Sequence, residues 1–341
     1  MNLNVIGNGF DLYHGLPSSY YYFGCYLIKN DSEFYEEIGK MYELNHLKMV
    51  GPAIAHDYDY VVENIFWSDF ERNLSKVDEY FVVDTSVDDL DLEYPDPVEI
   101  ELEHDKNADQ LKKKFAKWVG DTLDLESNYS LIKERLLNSS DIDLSNEDYF
   151  LQFNYTHSLQ KLYGIEDDKI YYVHGEYLGD DGGELIVGHG NDSRIQEIKE
   201  IIEKLDEKYD FTQSSYNRIN EYRCLLSYIH KLRKDVEGCK MGCSYFYDVI
   251  EGEVENINLY GLSLGEVDIP YLVQIRHRWP NAKWTFSYYS NSSMERINDI
   301  AKNSLNLDEG EYGMFKFAHT LSRDVCNEIV SIRGIDEYPG V

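Results

Sequence analysis

Positive charge is what this chain has little of: 32 Lys and Arg stand against 64 Asp and Glu, for a formal net charge of -32. So acidic a chain repels the phosphate backbones of DNA and RNA and anionic lipid surfaces, which argues against broad nucleic-acid binding and against membrane association. A basic or metal-bearing cleft inside the acidic shell stays compatible, because net charge describes only the long-range field. No apolar run is long enough to span a bilayer. The opening Met1-Asn2-Leu3-Asn4-Val5-Ile6 lacks the basic and apolar regions of a secretory leader, so a cytoplasmic protein is expected. Cysteine is sparse too. Cys25, Cys224, Cys239, Cys243 and Cys326 are odd in number and scattered, which fits a reducing compartment better than a disulfide framework. Cys239 and Cys243 have no second ligand pair nearby in sequence, so no metal site is expected there.

With 341 residues the chain exceeds a typical single domain. Leu3 to Ile6 is a short apolar run closing on glycine, and Ser18 or Ser19 can cap a helix starting near Tyr20. From about Asp31 to Asp148 the pattern is helical, clearest over Glu33 to Leu44 and Asp109 to Leu123. Within it, Val82 to Asp105 is acidic, holds Pro95 and Pro97, and reads as loop-rich. Strand patterns return at Tyr149 to Phe153, Lys169 to Val173 and Glu184 to Val187. Ser193 to about Ile250 is again helical and charged; Asn256 to Tyr260 and Trp284 to Tyr289 then read as strands around an amphipathic Pro270 to Arg278. Strands separated by helical stretches predict an α/β fold with a doubly wound, mainly parallel sheet. A nucleotide-binding core is expected over residues 1–30, 149–192 and 251–341, with helical insertions at 31–148 and 193–250.

In such sheets ligands bind beyond the carboxyl ends of the strands, and four polar loops fall there. They are Gly7-Asn8-Gly9-Phe10-Asp11, Asn154-Tyr155-Thr156-His157, His174-Gly175, and Gly261-Leu262-Ser263-Leu264-Gly265. Glycines let a backbone turn tightly and approach a phosphate, and the helix that follows can offer its amides. Taken singly, Asn154 reads equally as a turn residue, His174 as a satisfied strand-end histidine, and Asp11 and Asp268 as helix caps. Taken together, the spacing places Gly9, Asn154, His174 and Ser263 on one edge of the sheet.

The run Ile6-Gly7-Asn8-Gly9-Phe10-Asp11-Leu12-Tyr13-His14-Gly15-Leu16-Pro17-Ser18-Ser19-Tyr20 resembles the opening signature of the bacterial AbiH family, named for phage abortive infection. Further similar segments are Trp67-Ser68-Asp69-Phe70-Glu71, Phe153-Asn154-Tyr155-Thr156, Val173-His174-Gly175, Gly188-His189-Gly190 and Gly261 to Asp268. Leu262 stands where that family more often has histidine. The pattern is also remotely similar to sirtuin-like NAD-binding proteins, with Gly15-Leu16-Pro17, Asn154 and His174-Gly175 in the same order. The resemblance implies a Rossmann-like, sirtuin-like fold and a role in antiviral defence, with NAD as substrate or ligand. Without a four-cysteine zinc module, NAD cleavage is favoured over protein deacetylation.

On that resemblance Asn154 would position a water or a ribose hydroxyl and His174 would accept a proton, since histidine titrates near neutrality. Gly7, Asn8 and Gly9 would face the pyrophosphate, with Asp11, Gly261, Ser263 and Asp268 near the ribose. A rival enzyme reading gathers His14, His189 and Asp192 around a divalent metal for nuclease or phosphohydrolase chemistry. A third reading is a non-catalytic nucleotide sensor or a protein-interaction component of a defence system, with the 30 tyrosines supplying contact surface. Self-association is left open. Trp67, Phe70 and Leu74 share a helical face and read as core, while Glu71 is a candidate for the site.

Overall fold

The computed structural model describes residues 1–42, 65–77, 97–136, 142–179, 185–209 and 212–335. They divide into two compact units. The first comprises Met1–Tyr22, Ala116–Leu185 and Asp235–Asp336, and the second Phe23–Phe115, Ile186–Lys234 and Glu337–Val341.

The first unit holds a six-stranded sheet: β1 (Asn2–Ile6), β2 (Tyr149–Gln152), β3 (Ile170–Tyr172), β4 (Asn256–Tyr260), β5 (Lys283–Tyr288) and β6 (Tyr312–Lys316), in the order β3-β2-β1-β4-β5-β6. Every neighbouring pair is parallel. That order is the Rossmann one, in which the chain leaves β1 toward one side of the sheet and later resumes on the other. Strands buried on both faces are rich in apolar residues rather than alternating, and Leu3, Val5, Ile6, Phe150 and Leu151 are all fully buried. Beneath the sheet's carboxyl edge, Ile6, Phe10, Tyr13, Phe150, Leu159, Ile165, Ile170 and Phe317 form one apolar cluster.

Register fixes where the loops begin. Ile6 pairs with Gln152 on one side and Tyr260 on the other, and Gln152 pairs with Tyr172. The last residues of four adjacent strands therefore lie side by side, and the loops starting at Gly7, Phe153, Val173 and Gly261 leave the sheet at one level.

The second unit is helical, including Ser32–Met41, most of Pro97–Trp118, Asp192–Glu207 and Gln213–Lys231. Its core is aromatic: Phe23 meets Trp67, Phe70 and Phe115 edge-on, and Trp67 stacks on Phe70 at 5.5 Å. Trp67, Phe70 and Leu74 are core, as their spacing implies. Glu71 is paired at 2.8 Å with Lys234, whose side chain is 1% exposed.

Three sequence-based expectations change. Glu184 lies outside the described residues and Leu185 to Val187 is irregular chain leading to an isolated bridge between His189 and Arg233. The sixth strand is instead β6, at the sheet's edge. Of the expected loop from Val82 to Asp105, residues 82–96 are outside the described residues, and Pro97 opens a 22-residue helix. A proline in the first helical turn gives up only an amide that has no partner there, so it starts a helix rather than breaking one. The amphipathic stretch ending at Leu123 finishes as a π-helical turn, Val119–Leu123, not as continued α-helix.

Gly261 has φ +67°, and a Cβ built there would lie 2.3 Å from both Gly9 C and Phe10 N. We expect Gly261→Ala to destabilise the chain by at least about 1–3 kcal/mol, as overpacking against backbone does. Gly313→Ala, where a Cβ meets nothing within 4 Å, should change stability by no more than about 1 kcal/mol. Urea midpoints at constant slope would measure both.

Candidate functional site

The loops after β1 and β4 are seated on each other. Gly7 N–H donates to Tyr260 O at 2.9 Å and Gly9 N–H to Gly261 O at 2.8 Å. A Cβ on Gly7 would come within 2.5 Å of Leu262 Cα, and one on Gly9 within 2.6 Å of Gly261 Cα. A side chain at either position would thus strike the chain's own backbone. Asn8 turns away, its Nδ2 donating to Ser18 O at 3.0 Å.

The β4 loop is braced from two sides. Asp268 stands at the amino end of the helix Ile269–Arg278 but makes no capping bond there; it accepts from Gly265 N–H at 2.9 Å and Ser263 Oγ at 3.2 Å. Leu264 sits at φ +58°, a region costly for a side-chain-bearing residue. Arg296 holds it by donating Nε and a terminal nitrogen to the Leu264 carbonyl at 2.8 and 2.6 Å. Gly261 N–H donates to Ser287 Oγ at the end of β5, at 2.7 Å.

Across β1 the first loop is bound to the second. Asn154 Nδ2 donates to Gly7 O at 3.0 Å. Asp11 is 1% exposed and accepts from Thr156 Oγ1 at 2.7 Å and Ser158 Oγ at 2.5 Å. Burial raises its carboxyl to about 6, against the hydroxyls of Ser158 and Thr156, which favour the ionised form, and with a further push from the charge of Asp124. Asp11 is therefore neither a helix cap nor open to a ligand in this arrangement; it ties the two loops. His174 is buried with its ring edge-on to Phe153 at 5.4 Å, and Tyr271 stands 6.2 Å away. Because Phe153 adjoins Asn154, the expected pair comes from neighbouring loops on neighbouring strands. Gly9, Asn154, His174 and Ser263 all follow strand ends on the same edge.

A second array was not foreseen in the sequence. His157 Nδ1 lies 2.5 Å from Asp124 Oδ2, and its Nε2 2.9 Å from Glu176 Oε1. His157 N–H and the Tyr129 hydroxyl both donate to Asp124 Oδ1. The Asp124 hydrogen bond, opposed by burial and joined by the charges of Asp124 and Glu176, holds the His157 imidazole above its ordinary pKa. Although burial opposes it, bonding to His157 and Tyr129 keeps the Asp124 carboxyl below the usual range. His157 lay inside the Asn154 motif and Glu176 two residues past His174, so both were within reach of the sequence; Asp124, at the end of a helical stretch, was not.

The residues offered for a metal are engaged elsewhere. His14 is fully buried, with Nδ1 2.7 Å from Phe10 O and Nε2 2.7 Å from the Tyr163 hydroxyl, and burial lowers its pKa to about 4. His189 uses Nε2 on Ile229 O and Nδ1 on Asn191 N–H, and Asp192 pairs with Arg233. Among the described residues no group of three or more His, Cys, Asp or Glu could hold a metal ion. All five cysteines are free thiols, and burial raises Cys243 to about 12. Among the described residues no helix is long and apolar enough to cross a membrane.

Nucleotide fit divides along the site. The Gly7 and Gly9 amides are spent on the last residue of β4 and the first of its loop, so they do not fit a pyrophosphate cradle as they stand. Near the second loop and near Asn8, Gln152 Oε1 and Ser18 Oγ are buried polar atoms without a protein partner, which suits a polar guest such as water or a sugar hydroxyl.

Asp11→Ala leaves the Thr156 and Ser158 hydroxyls without their acceptor, which should cost about 1–3 kcal/mol. Asp11→Asn keeps one acceptor and removes the charge. A raised acid favours the folded state at low pH, so wild-type stability should carry a component that is lost as pH rises through about 6; the asparagine variant should lack it. Denaturant titrations from about pH 4 to pH 7 would test this.

The sequence model described as bacteriophage abortive infection AbiH matches residues 3–288. That span takes in β1 to β5 and the loops that follow the first four strands. No curated protein and no solved structure matches the chain. With the match running through most of its length and through both glycine loops, this chain belongs to the AbiH family of bacteriophage abortive infection proteins.

Proposed function

We propose that this AbiH chain is a nucleotide-directed defence effector that hydrolyses NAD at the nicotinamide–ribose bond. The observation that carries the reading is that the loops bearing Asn154 and His174 leave the neighbouring strands β2 and β3 at one level, with the Phe153 and His174 rings 5.4 Å apart, next to the strand where the sheet order reverses. A sirtuin-like relationship is part of the same proposal. In the reaction the bond from ribose C1′ to the pyridinium nitrogen breaks, its electron pair leaves with neutral nicotinamide, and water adds to C1′ while losing a proton. The products are nicotinamide, ADP-ribose and a proton.

The roles fall to short polar side chains. Asn154, anchored to the Gly7 carbonyl, would orient the water or a ribose hydroxyl; His174 would take the proton. Gly7, Asn8, Gly9, Gly261, Ser263 and Asp268 would form the fixed floor of the site rather than a phosphate cradle, since their polar groups bond to one another and to their own loops. The family's defence role and a further protein of the same system as partner belong to this proposal.

Purified chain incubated with NAD, NADP or ATP, with and without chelator, should release nicotinamide from NAD independently of metal. Asn154→Ala and His174→Ala should each lower the rate roughly 10²- to 10⁴-fold, while Tyr245→Ala, on an exposed helix face, leaves it unchanged. Intact NAD in every condition sinks the proposal. Nucleotide binding without turnover would select a sensor, and chelator-sensitive phosphate release a metal enzyme.

A further inference from the structure

The Asp124, His157 and Glu176 array has no part in the chemistry proposed for Asn154 and His174, yet it joins the loops that carry them. His157 is three residues after Asn154, and Glu176 is two after His174, across Gly175 at φ +87°. An imidazole facing a carboxylate from each nitrogen can donate to both only as the imidazolium, because the neutral ring has one N–H. Asp124 fixes one side of that ring through two bonds, Oδ2 to Nδ1 and Oδ1 to the His157 amide. The Tyr129 hydroxyl anchors Asp124 in turn.

We propose that His157 is a positioning residue: as an imidazolium bridging Asp124 and Glu176, it latches the His174 loop to the Asn154 loop and so sets the spacing of the working pair. The proposal rests on the reading of Asn154 and His174 given above. A second feature agrees with it. Asp124 directly follows the π-helical turn Val119–Leu123, and His157 stands two residues before the π-helical turn Leu159–Tyr163. Single π turns carry an extra residue at a cost in regularity and recur where side chains must be placed for function.

The groups around the latch set its pH range. Besides its two carboxylates, His157 faces the Tyr172 ring at 6.1 Å, whose hydroxyl bonds to Thr156 O and Gln160. Asp11 lies one step inward through Thr156 and Ser158, while Lys161, paired with Glu126, interacts with Asp124 from the adjoining turn. A histidine whose folded pKa is raised gives stability that is complete below its unfolded value and lost as pH rises through the folded one. On the acid side the Asp124 arm of the latch persists until pH falls through the lowered Asp124 value.

The test follows the full chain by histidine NMR titration and by amide protection over residues 173–177, in wild type, Glu176→Gln, His157→Gln and Glu176→Asp. In wild type, His157 should titrate above the ordinary histidine value, with loop protection factors falling about tenfold as pH passes through that midpoint, the scale of one charge-assisted hydrogen bond. Glu176→Gln should lower the midpoint and abolish the pH dependence of protection, as should His157→Gln for the loop, and Glu176→Asp should restore part of both. An ordinary or lowered His157 midpoint in wild type, or loop protection indifferent to it, overturns the latch. NAD turnover measured alongside separates the two proposals. A working latch on a chain that leaves NAD intact refutes only the function, whereas wild-type turnover and pH profile in Glu176→Gln refute only the latch.

Discussion

Gly7 and Gly9 meet Gly261 and Leu262 with no side chain between the two backbones. From that contact the arrangement of the carboxyl edge follows. The β4 loop is pressed onto the β1 loop, so its own shape has to be held from outside, which Asp268 and Arg296 do at Ser263, Leu264 and Gly265. On the other side Asn154 and Asp11 attach the β2 loop to the same floor. The three loops become one body because the loops leaving the two central strands, β1 and β4, open on glycines too small to keep them apart.

The polar interior shows how environment assigns protonation. His14 and His157 belong to one unit, yet burial without a carboxylate leaves His14 neutral, whereas two carboxylates favour the charged ring at His157. Asp11 lies between these cases: its two hydroxyl donors recover part of what burial takes away. Among the described residues, Asp11, Asp124 and Glu71 are carboxylates turned inward onto hydroxyl, imidazole and ammonium partners respectively.

The sequence made the interior of the sheet readable because buried parallel strands are near-continuous apolar runs, as at Leu3 to Ile6 and Tyr149 to Phe153, interrupted at Asn4 and Gln152. It hid β6, a half-exposed edge strand with Gly313 inside it, and suggested a strand before His189 where a short apolar alternation serves an irregular segment. Asn154 and His174 could be picked out because strand ends announce themselves. The purpose of Gly7 and Gly9 could not, since a glycine needed for close approach looks the same whether the neighbour is a phosphate or a peptide. Nor could Asp124, whose histidine partner is 33 residues away; that proximity is created by folding and leaves no local pattern.

The turn Val119–Leu123 has a meaning for how this family can vary. A π turn accommodates one residue more than an α-helix would, and each residue rotates a helix by about 100°. Such a turn absorbs its extra residue locally, so removing one there would return the segment to regular α-helix with Asp124 on much the same face, whereas removing one from the regular helix beside it would swing the carboxylate by about 100°. Chain length over these five residues can therefore change by one where the flanking helix cannot.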